Sequence, residues 1–188
     1  MTDFLYSIDV YIFFFFNGTV HNPVFDLLMP FLTNFNNWRI PVILIILFLG
    51  IKYKKRGLIA VACGIIGVTV SDQLTSTILK PLIGRTRPCF ELENVRLLVD
   101  QVRSLSFPSS HAANISVTAV VFSYFFPRAK IYLVILAVSV SFSRIYVGVH
   151  YPSDVIVGAG IGVLAGMLVI ELYKISSKRF GKLEVNGY

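Results

Sequence analysis

Residues 58–79, LIAVACGIIGVTVSDQLTSTIL, decide the fold class, because Asp72 is their only charged side chain. A helix of about 20 predominantly apolar residues crosses the hydrocarbon core of a bilayer. Four more apolar runs lie at residues 40–51, 109–126, 131–142 and 155–173. The runs 40–51 and 131–142 are short and reach spanning length with the flanks 37–53 and 131–149. The pattern predicts an all-α, polytopic transmembrane helix bundle with five spans and a possible sixth.

The composition excludes the other broad classes of protein. The chain has 188 residues, of which 55% are hydrophobic and 14% are charged, whereas soluble domains carry about 25% charged residues. Its two cysteines have no metal-binding or redox spacing. We expect a single integral-membrane domain, residues 1–188, whose partners are the bilayer and a membrane lipid. We expect no nucleic-acid partner and no obligate protein partner.

The N-terminal 38 residues contain two short apolar stretches, residues 4–16 and 24–32, which are interrupted by Asn17-Gly18 and Asn22-Pro23. Each stretch also carries one carboxylate, Asp9 or Asp26. These features fit either two interfacial helices or one kinked span. The first basic residue is Arg39, so the charge pattern does not place the N-terminus on either side.

Basic residues mark alternate ends of the predicted spans. Cytoplasmic connections are enriched in Lys and Arg, so the cytoplasmic side is assigned to the ends that carry Lys52, Lys54, Lys55, Arg56, Arg128, Lys130, Lys174, Lys178, Arg179 and Lys182. The C-terminus is then cytoplasmic. The connections 80–108 and 144–153 lie on the outer side, which predicts a site facing the periplasm or the exterior of a cytoplasmic (inner) membrane.

The outer connection includes apolar positions at helical spacing between residues 90 and 106: Leu92, Val95, Leu98, Val99, Val102 and Leu105. This spacing favours an amphipathic segment on the membrane surface beside the site. A solvated connector is the alternative.

The first outer motif is KPLIGRTRP, residues 80–88, in which Lys80 and Arg87 stand where a helix leaves the membrane. A compact ammonium and a forked guanidinium can neutralise a phosphate from two directions. A snorkelling basic helix end is the alternative for this motif alone.

The second outer motif is FPSSH, residues 107–111, at the start of an apolar run. Pro and Ser at such a position predict a helix N-terminus, whose free N–H groups bind anions. His111 then stands in the first turn and could donate a proton to a bound phosphate. An incidental histidine at a helix end is the alternative.

The third outer motif is SRIYVGVHYPSD, residues 143–154, which places His150 four residues before Asp154. If Pro152 opens the last span, Asp154 lies in its first turn and can hold one imidazole nitrogen of His150. The other nitrogen is then free as a base or nucleophile. Arg144 adds a third cation. The alternative for the pair is an interfacial histidine with a helix-capping aspartate.

With these three motifs on one side, the chain resembles the type 2 phosphatidic acid phosphatase superfamily. The family pattern is Lys, six residues and Arg-Pro, then Pro-Ser-Gly-His, then Ser-Arg, five residues, His, three residues and Asp. The residues that match are Lys80, Arg87, Pro88, Pro108, Ser109, His111, Ser143, Arg144, His150 and Asp154. Ser110 replaces the usual Gly, and we expect function to survive this change.

The resemblance implies a two-step displacement in which His150 attacks phosphorus, Asp154 orients His150 and His111 protonates the leaving oxygen. It also implies phosphate contacts from the side chains of Lys80, Arg87 and Arg144, the backbone and hydroxyl of Ser109, and the N–H of Ser110. Glu91, Glu93 and Asp100 are scattered among basic residues, so we expect no metal and no other cofactor. Hydrolysis should persist in EDTA and be blocked by vanadate.

The expected substrate is a lipid phosphate or pyrophosphate. Similar proteins use lipid A 1-phosphate, undecaprenyl pyrophosphate, phosphatidylglycerol phosphate and phosphatidic acid, and the motifs do not distinguish these lipids. A phosphotransferase with a non-water acceptor and a transporter or structural protein with an incidental phosphate site are the alternatives. Head-group selection is assigned to Arg85, Arg96 and Arg103 as a hypothesis.

Two features within the predicted spans favour helix packing. Asp72 is expected to face the bundle interior and to pair with another helix. Gly158, Gly162 and Gly166 repeat every four residues, a spacing that lets membrane helices approach closely.

Overall fold

A computed structural model of the chain describes residues 2–100 and 103–180, and every regular element in these two ranges is helical. The prediction of an all-α fold is confirmed. Val102 of the expected amphipathic segment and Lys182 of the basic tail lie outside the described residues.

In the described part of the chain, eight α-helices make up the bundle, with short π or 3₁₀ turns at some of their ends. They are α1 (Thr2–Phe14), α2 (Pro23–Thr33), α3 (Arg39–Asp72), α4 (Lys80–Ile83), α5 (Pro88–Glu91), α6 (Ser110–Phe125), α7 (Lys130–Tyr146) and α8 (Pro152–Phe180). Helix α3 contains a sharp kink at Lys54, whose φ of 47° is not helical. A π-helical segment, Gln73–Leu79, continues α3 toward α4.

Helix α6 lies at the centre and packs against α3, α7 and α8. Helix α6 approaches α8 closely because α8 has glycines at the contact. A Cβ at Gly158 would lie 2.4 Å from the Ser109 carbonyl oxygen. A Cβ at Gly162 would lie 2.1 Å from the carbonyl oxygen of Ala113. The predicted packing role of this glycine repeat is confirmed, and it holds the start of α6 against the start of α8.

Buried residues of α3, α6 and α8 form one apolar core between these helices: Ala60, Cys63, Val117, Val121, Phe125, Ala165 and Val169. Asp72 faces this interface, where its Oδ1 accepts a hydrogen bond of 3.0 Å from Asn114 Nδ2 on α6. Its predicted pairing with another helix is confirmed.

The basic ends of the helices meet at one end of the bundle. Arg56 donates to the carbonyl oxygen of Phe125 and its guanidinium carbon lies 5.5 Å from the ring centre of Phe126. Lys174 Nζ lies 5.4 Å from the ring centre of Tyr124. The basic residues that mark alternate ends of the predicted spans therefore lie at one end of the folded bundle.

Within the described ranges, three helices are long and apolar enough to cross a membrane: Phe35–Glu91, Pro127–Tyr146 and Pro152–Arg179. The first range includes the kinked α3 and the elements beside it. Helix α6 has 16 residues. Large apolar side chains are exposed on the outer faces of α3, α7 and α8, as expected for helices that face lipid.

The N-terminal region forms two helices, α1 and α2, separated by a break near Asn22. Helix α1 packs against α8, and α2 packs against α7. Asn17 lies after α1, is fully buried, and donates 2.8 Å hydrogen bonds to the carbonyl oxygens of Arg96 and Tyr146. The N-terminal region is therefore docked on the bundle through specific polar contacts.

The helical spacing within residues 90–106 was misleading. In the described part of this segment, only residues 90 and 91, at the end of α5, are helical. Residues 92–100 and 103–106 form no regular helix. Leu98 N–H donates instead to the Val147 carbonyl oxygen at 3.2 Å, and Arg96 N–H donates to Asn17 Oδ1 at 2.9 Å. Because distant partners satisfy these backbone donors, the segment follows the bundle surface without forming helical hydrogen bonds.

Candidate active site

Three cationic side chains lie together at the end of the bundle opposite the basic ends. Lys80 opens α4, Arg87 precedes α5, and Arg144 lies in the last turn of α7. All three are buried, with residue exposures of 9%, 3% and 4%. The structure thus brings together the three cations predicted from separate motifs.

None of these three cations has a carboxylate partner within ion-pair distance in the ranges 2–100 and 103–180. Among the described residues, Arg87 donates to neutral acceptors: Ser104 O at 2.6 Å, Ser104 Oγ at 2.8 Å, Val149 O at 2.9 Å and His150 Nε2 at 3.1 Å. Arg144 donates to Thr33 Oγ1 on α2, while its buried Nε has no partner among the described residues. The cluster therefore carries positive charge that the described part of the chain leaves unneutralised.

His150 lies in the turn between α7 and α8 and is 1% exposed. Its Nδ1 is 3.3 Å from Asp154 Oδ2, and its Nε2 is 3.1 Å from Arg87 Nη1. With Asp154 accepting from Nδ1–H, the Nε2 lone pair accepts from Arg87. This geometry matches the predicted orientation of His150 by Asp154.

Gly148 allows the turn that delivers His150. Its φ is +88°, and a Cβ would lie 2.7 Å from the carbonyl oxygen of Arg96. A side chain at this position would both strain the backbone and displace the segment packed against it.

Burial and the positive charges of Arg144, Arg87 and Lys80 hold the pKa of His150 well below its ordinary value of 6.5. A lowered pKa keeps the imidazole neutral at physiological pH. The imidazole is therefore in the neutral form that a nucleophile requires, with its Nε2 lone pair held by Arg87 in this arrangement.

His111 stands in the first turn of α6 and is exposed. It is near enough to Lys80, Arg87, Arg144 and His150 for their charges to act on it. The two predicted catalytic histidines thus share one site, His150 on its buried side and His111 on its open side.

Ser109 is placed differently from the expectation. Its N–H donates to the Asp154 carbonyl oxygen at 2.9 Å, and its Oγ accepts from Ala112 N–H at 3.4 Å. Ser109 is fully buried, so its N–H and hydroxyl cap α6 and attach it to α8. The N–H is therefore not available to phosphate as predicted, whereas the hydroxyl accepts in this contact and keeps its own proton for donation.

Ser110 lies at the start of α6, and no acceptor is recorded for its N–H within the described ranges. Its Oγ lies 3.0 Å from Thr75 Oγ1 and 2.9 Å from Ser76 Oγ. The side chain that replaces the family glycine therefore ties α6 to the π-helical segment, while the predicted N–H donor stays available.

Arg85, predicted to select the head group, is engaged within the protein, and its head-group role stays a prediction. Its Nη1 donates to Asp154 Oδ1 at 2.8 Å, its Nη2 donates to Asp9 Oδ2 at 2.6 Å, and its guanidinium carbon lies 3.8 Å from the ring centre of Tyr151. Because Nη1 and Nη2 both donate to carboxylates, Arg85 helps to hold Asp154 in position.

Arg96 is also engaged within the protein, since its guanidinium donates to Asp26 Oδ2 at 2.7 Å and to the Asn17 carbonyl oxygen at 3.0 Å. These contacts attach it to the N-terminal region, and its head-group role stays a prediction. Arg103 is exposed, and its head-group role stays a prediction.

Sequence reasoning missed Asp9 and Thr33 as neighbours of the site residues. A carboxylate in an apolar stretch needs a partner, so the sequence could have indicated that Asp9 contacts a cation. Nothing in the sequence indicated the contact of Thr33. Within residues 2–100 and 103–180, no three His, Cys, Asp or Glu side chains lie close enough together to hold a metal ion.

The chain is similar to known membrane phosphatases over most of its length. The model of the PAP2 superfamily matches residues 58–178. A lipid A 4'-phosphatase of Bacteroides thetaiotaomicron is 34% identical, with 98% of this chain and 84% of that protein aligned. The undecaprenyl-diphosphatase BcrC of Bacillus subtilis is 32% identical, with 79% of this chain and 75% of that protein aligned.

The fold is also similar to a solved structure. The crystal structure of LpxE from Aquifex aeolicus superposes with a TM-score of 0.71 at 26% identity, covering 87% of this chain and 95% of that one. The resemblance seen in the three motifs is therefore confirmed over a much longer stretch. Because the family model covers more than half of the chain, this protein belongs to the PAP2 superfamily and is a phosphatase of that family.

Proposed function

We propose that this protein removes the terminal phosphate of a membrane lipid phosphate or diphosphate through a phosphohistidine on His150, without a metal ion. The observation that carries the proposal is the cluster of Lys80, Arg87 and Arg144 around His150 with no carboxylate partner in the described part of the chain.

A buried charge is costly unless a partner compensates it. Arg85, the neighbouring cation, has two carboxylate partners, whereas the three cations of the cluster have none among the residues that the structure describes. A phosphoryl group supplies the missing negative charge, and its oxygens offer acceptors for Arg144 Nε, Lys80 Nζ and the N–H of Ser110. The site thus favours an anion of this shape.

The first step transfers the phosphoryl group to the protein. His150 Nε2 attacks phosphorus, a P–N bond forms and the P–O bond to the lipid breaks. Burial and the cluster cations lower the pKa of His111 to about 3 without substrate, so His111 takes up a proton as the negatively charged phosphate binds and gives that proton to the leaving oxygen. Arg87 now donates to His150 Nε2, so it must turn toward the phosphoryl oxygens as the substrate binds. The cations stabilise the charge that spreads over these oxygens in the transition state.

The second step releases phosphate. His111, now neutral, accepts a proton from a water molecule whose oxygen attacks phosphorus, and the P–N bond breaks to return His150 to its starting state. The exposure of His111 supports this role, because water reaches the open side of the site.

A lipid A phosphate is the first substrate to test, because the Bacteroides lipid A 4'-phosphatase aligns with 98% of this chain. Undecaprenyl diphosphate is the second, supported by the similarity to BcrC. Phosphatidylglycerol phosphate and phosphatidic acid are the third and fourth lipids to test.

We further propose that the protein lies in the cytoplasmic (inner) membrane with its site on the periplasmic or outer face and its C-terminus in the cytoplasm. The positive-inside bias supports this orientation, because the basic ends meet at the end of the bundle opposite the site.

The test is phosphate release by the purified protein in detergent from each of the four lipids, with and without EDTA. Wild type should release inorganic phosphate in EDTA, and vanadate should block it. His150→Ala should lower the rate by about 10³-fold or more, because the nucleophile is lost.

His21→Ala is the matched control, since His21 contacts the Gly18 carbonyl oxygen away from the site, and it should keep wild-type turnover. Full loss of activity in EDTA, or an active His150→Ala protein, would contradict the proposal. Labelled phosphate that appears on a second lipid or sugar instead of in solution would identify a phosphotransferase.

A further inference from the structure

We propose that Asp9, on α1, is a positioning residue for catalysis that acts on His150 through Arg85 and Asp154. This inference rests on the proposed function. The N-terminal helix lies outside the residues 58–178 matched by the family model, so the contribution comes from a part of the chain that the three motifs do not include.

The contacts form a continuous chain to the nucleophile. Asp9 Oδ2 accepts from Arg85 Nη2 at 2.6 Å, and Arg85 Nη1 donates to Asp154 Oδ1 at 2.8 Å. The other oxygen of Asp154, Oδ2, accepts from the Tyr151 N–H at 2.9 Å and lies 3.3 Å from His150 Nδ1. The Asp154 side chain is fully buried, and those of Asp9 and Arg85 are 8% and 19% exposed.

Asp9 also holds the helix that carries Asp154. Its Oδ1 accepts from the N–H of Ser153 at 2.9 Å, and its Oδ2 accepts from the Ser153 hydroxyl. Ser153 lies in the first turn of α8, where free N–H groups and the helix dipole favour a carboxylate. Asp9 therefore fixes the position of Asp154 from two directions, through Arg85 and through the backbone of α8.

The charges of this group matter for the reaction. Two carboxylates, Asp9 and Asp154, share one guanidinium, which leaves a net charge of −1 behind His150. Attack by Nε2 makes the imidazole ring positive at a site that already contains three cations. The net negative charge offsets this developing charge, and without Asp9 the pair Arg85–Asp154 would be neutral.

The experiment compares kcat and KM of wild type and Asp9→Asn on the best lipid substrate. Asn keeps an acceptor for the Ser153 N–H but removes the charge. We expect kcat to fall about 10-fold, the low end of the loss seen when the outer partner of a positioned imidazole is removed. KM should stay unchanged, because the phosphate contacts come from other residues.

Two further variants keep the outcome clear. Asp9→Glu restores the charge and should recover part of the lost kcat. Asp26→Asn is the matched control, since it removes a different N-terminal ion pair, to Arg96, and should change kcat by less than about twofold.

A wild-type kcat for Asp9→Asn, or an Asp9→Glu protein no faster than Asp9→Asn, would overturn the inference. So would a loss equal in Asp9→Asn and Asp26→Asn, since that indicates general destabilisation. Inactive wild type, or His150→Ala as active as wild type, would instead refute the proposed function, so the two failures are distinguishable.

Discussion

At the scale of single residues, His150 combines burial with three neighbouring cations, and both lower its pKa below 6.5. The nucleophile must be neutral at Nε2, so a lowered pKa extends the active form toward acid. We expect the acid limb of kcat/KM assigned to His150 to lie below pH 6.5. The measurement is a pH profile on an aryl phosphate whose own ionisation is determined separately, and an acid limb at or above pH 6.5 would contradict the expectation.

At the scale of elements, the contact between α6 and α8 aligns the starts of two helices that carry His111 and Asp154. Gly162→Leu should lower the unfolding temperature and the activity together, because its Cβ would lie 2.1 Å from the Ala113 carbonyl oxygen, and overpacking costs about 1–3 kcal/mol or more. Gly160→Leu is the matched control, since nothing lies within 4 Å of its Cβ. Thermal unfolding and turnover in detergent measure both variants, and equal effects at the two positions would contradict the expected packing role.

At the scale of the whole molecule, the basic end and the catalytic end are opposite ends of one bundle. A cysteine introduced at the exposed position Glu93 or Arg128 tests which side of the membrane each end faces. Both variants are made in a background where Cys63 and Cys89 are replaced by Ala. A membrane-impermeant thiol reagent applied to spheroplasts should label Glu93→Cys and should reach Arg128→Cys only after lysis. Labelling of Arg128→Cys in intact spheroplasts would reverse the proposed orientation.

The sequence by itself determined the helical membrane class, the common side of the three motifs and the pairing of His150 with Asp154. These features depend on local properties: the length of an apolar run, the position of basic residues and the four-residue spacing across a helix start. Each is encoded within one segment of the chain, so no long-range contact was needed to predict it.

Only the tertiary structure decided the partners of Arg85, Arg96 and Ser109. Each of these groups had a plausible local role, but distant segments supply Asp9, Asp26 and the Asp154 carbonyl oxygen as acceptors. The same holds for residues 92–100. Their apolar spacing is typical of a helix, but their backbone N–H groups donate to Asn17 and Val147 instead. A buried donor must find an acceptor, and which acceptor it meets depends on how the helices pack.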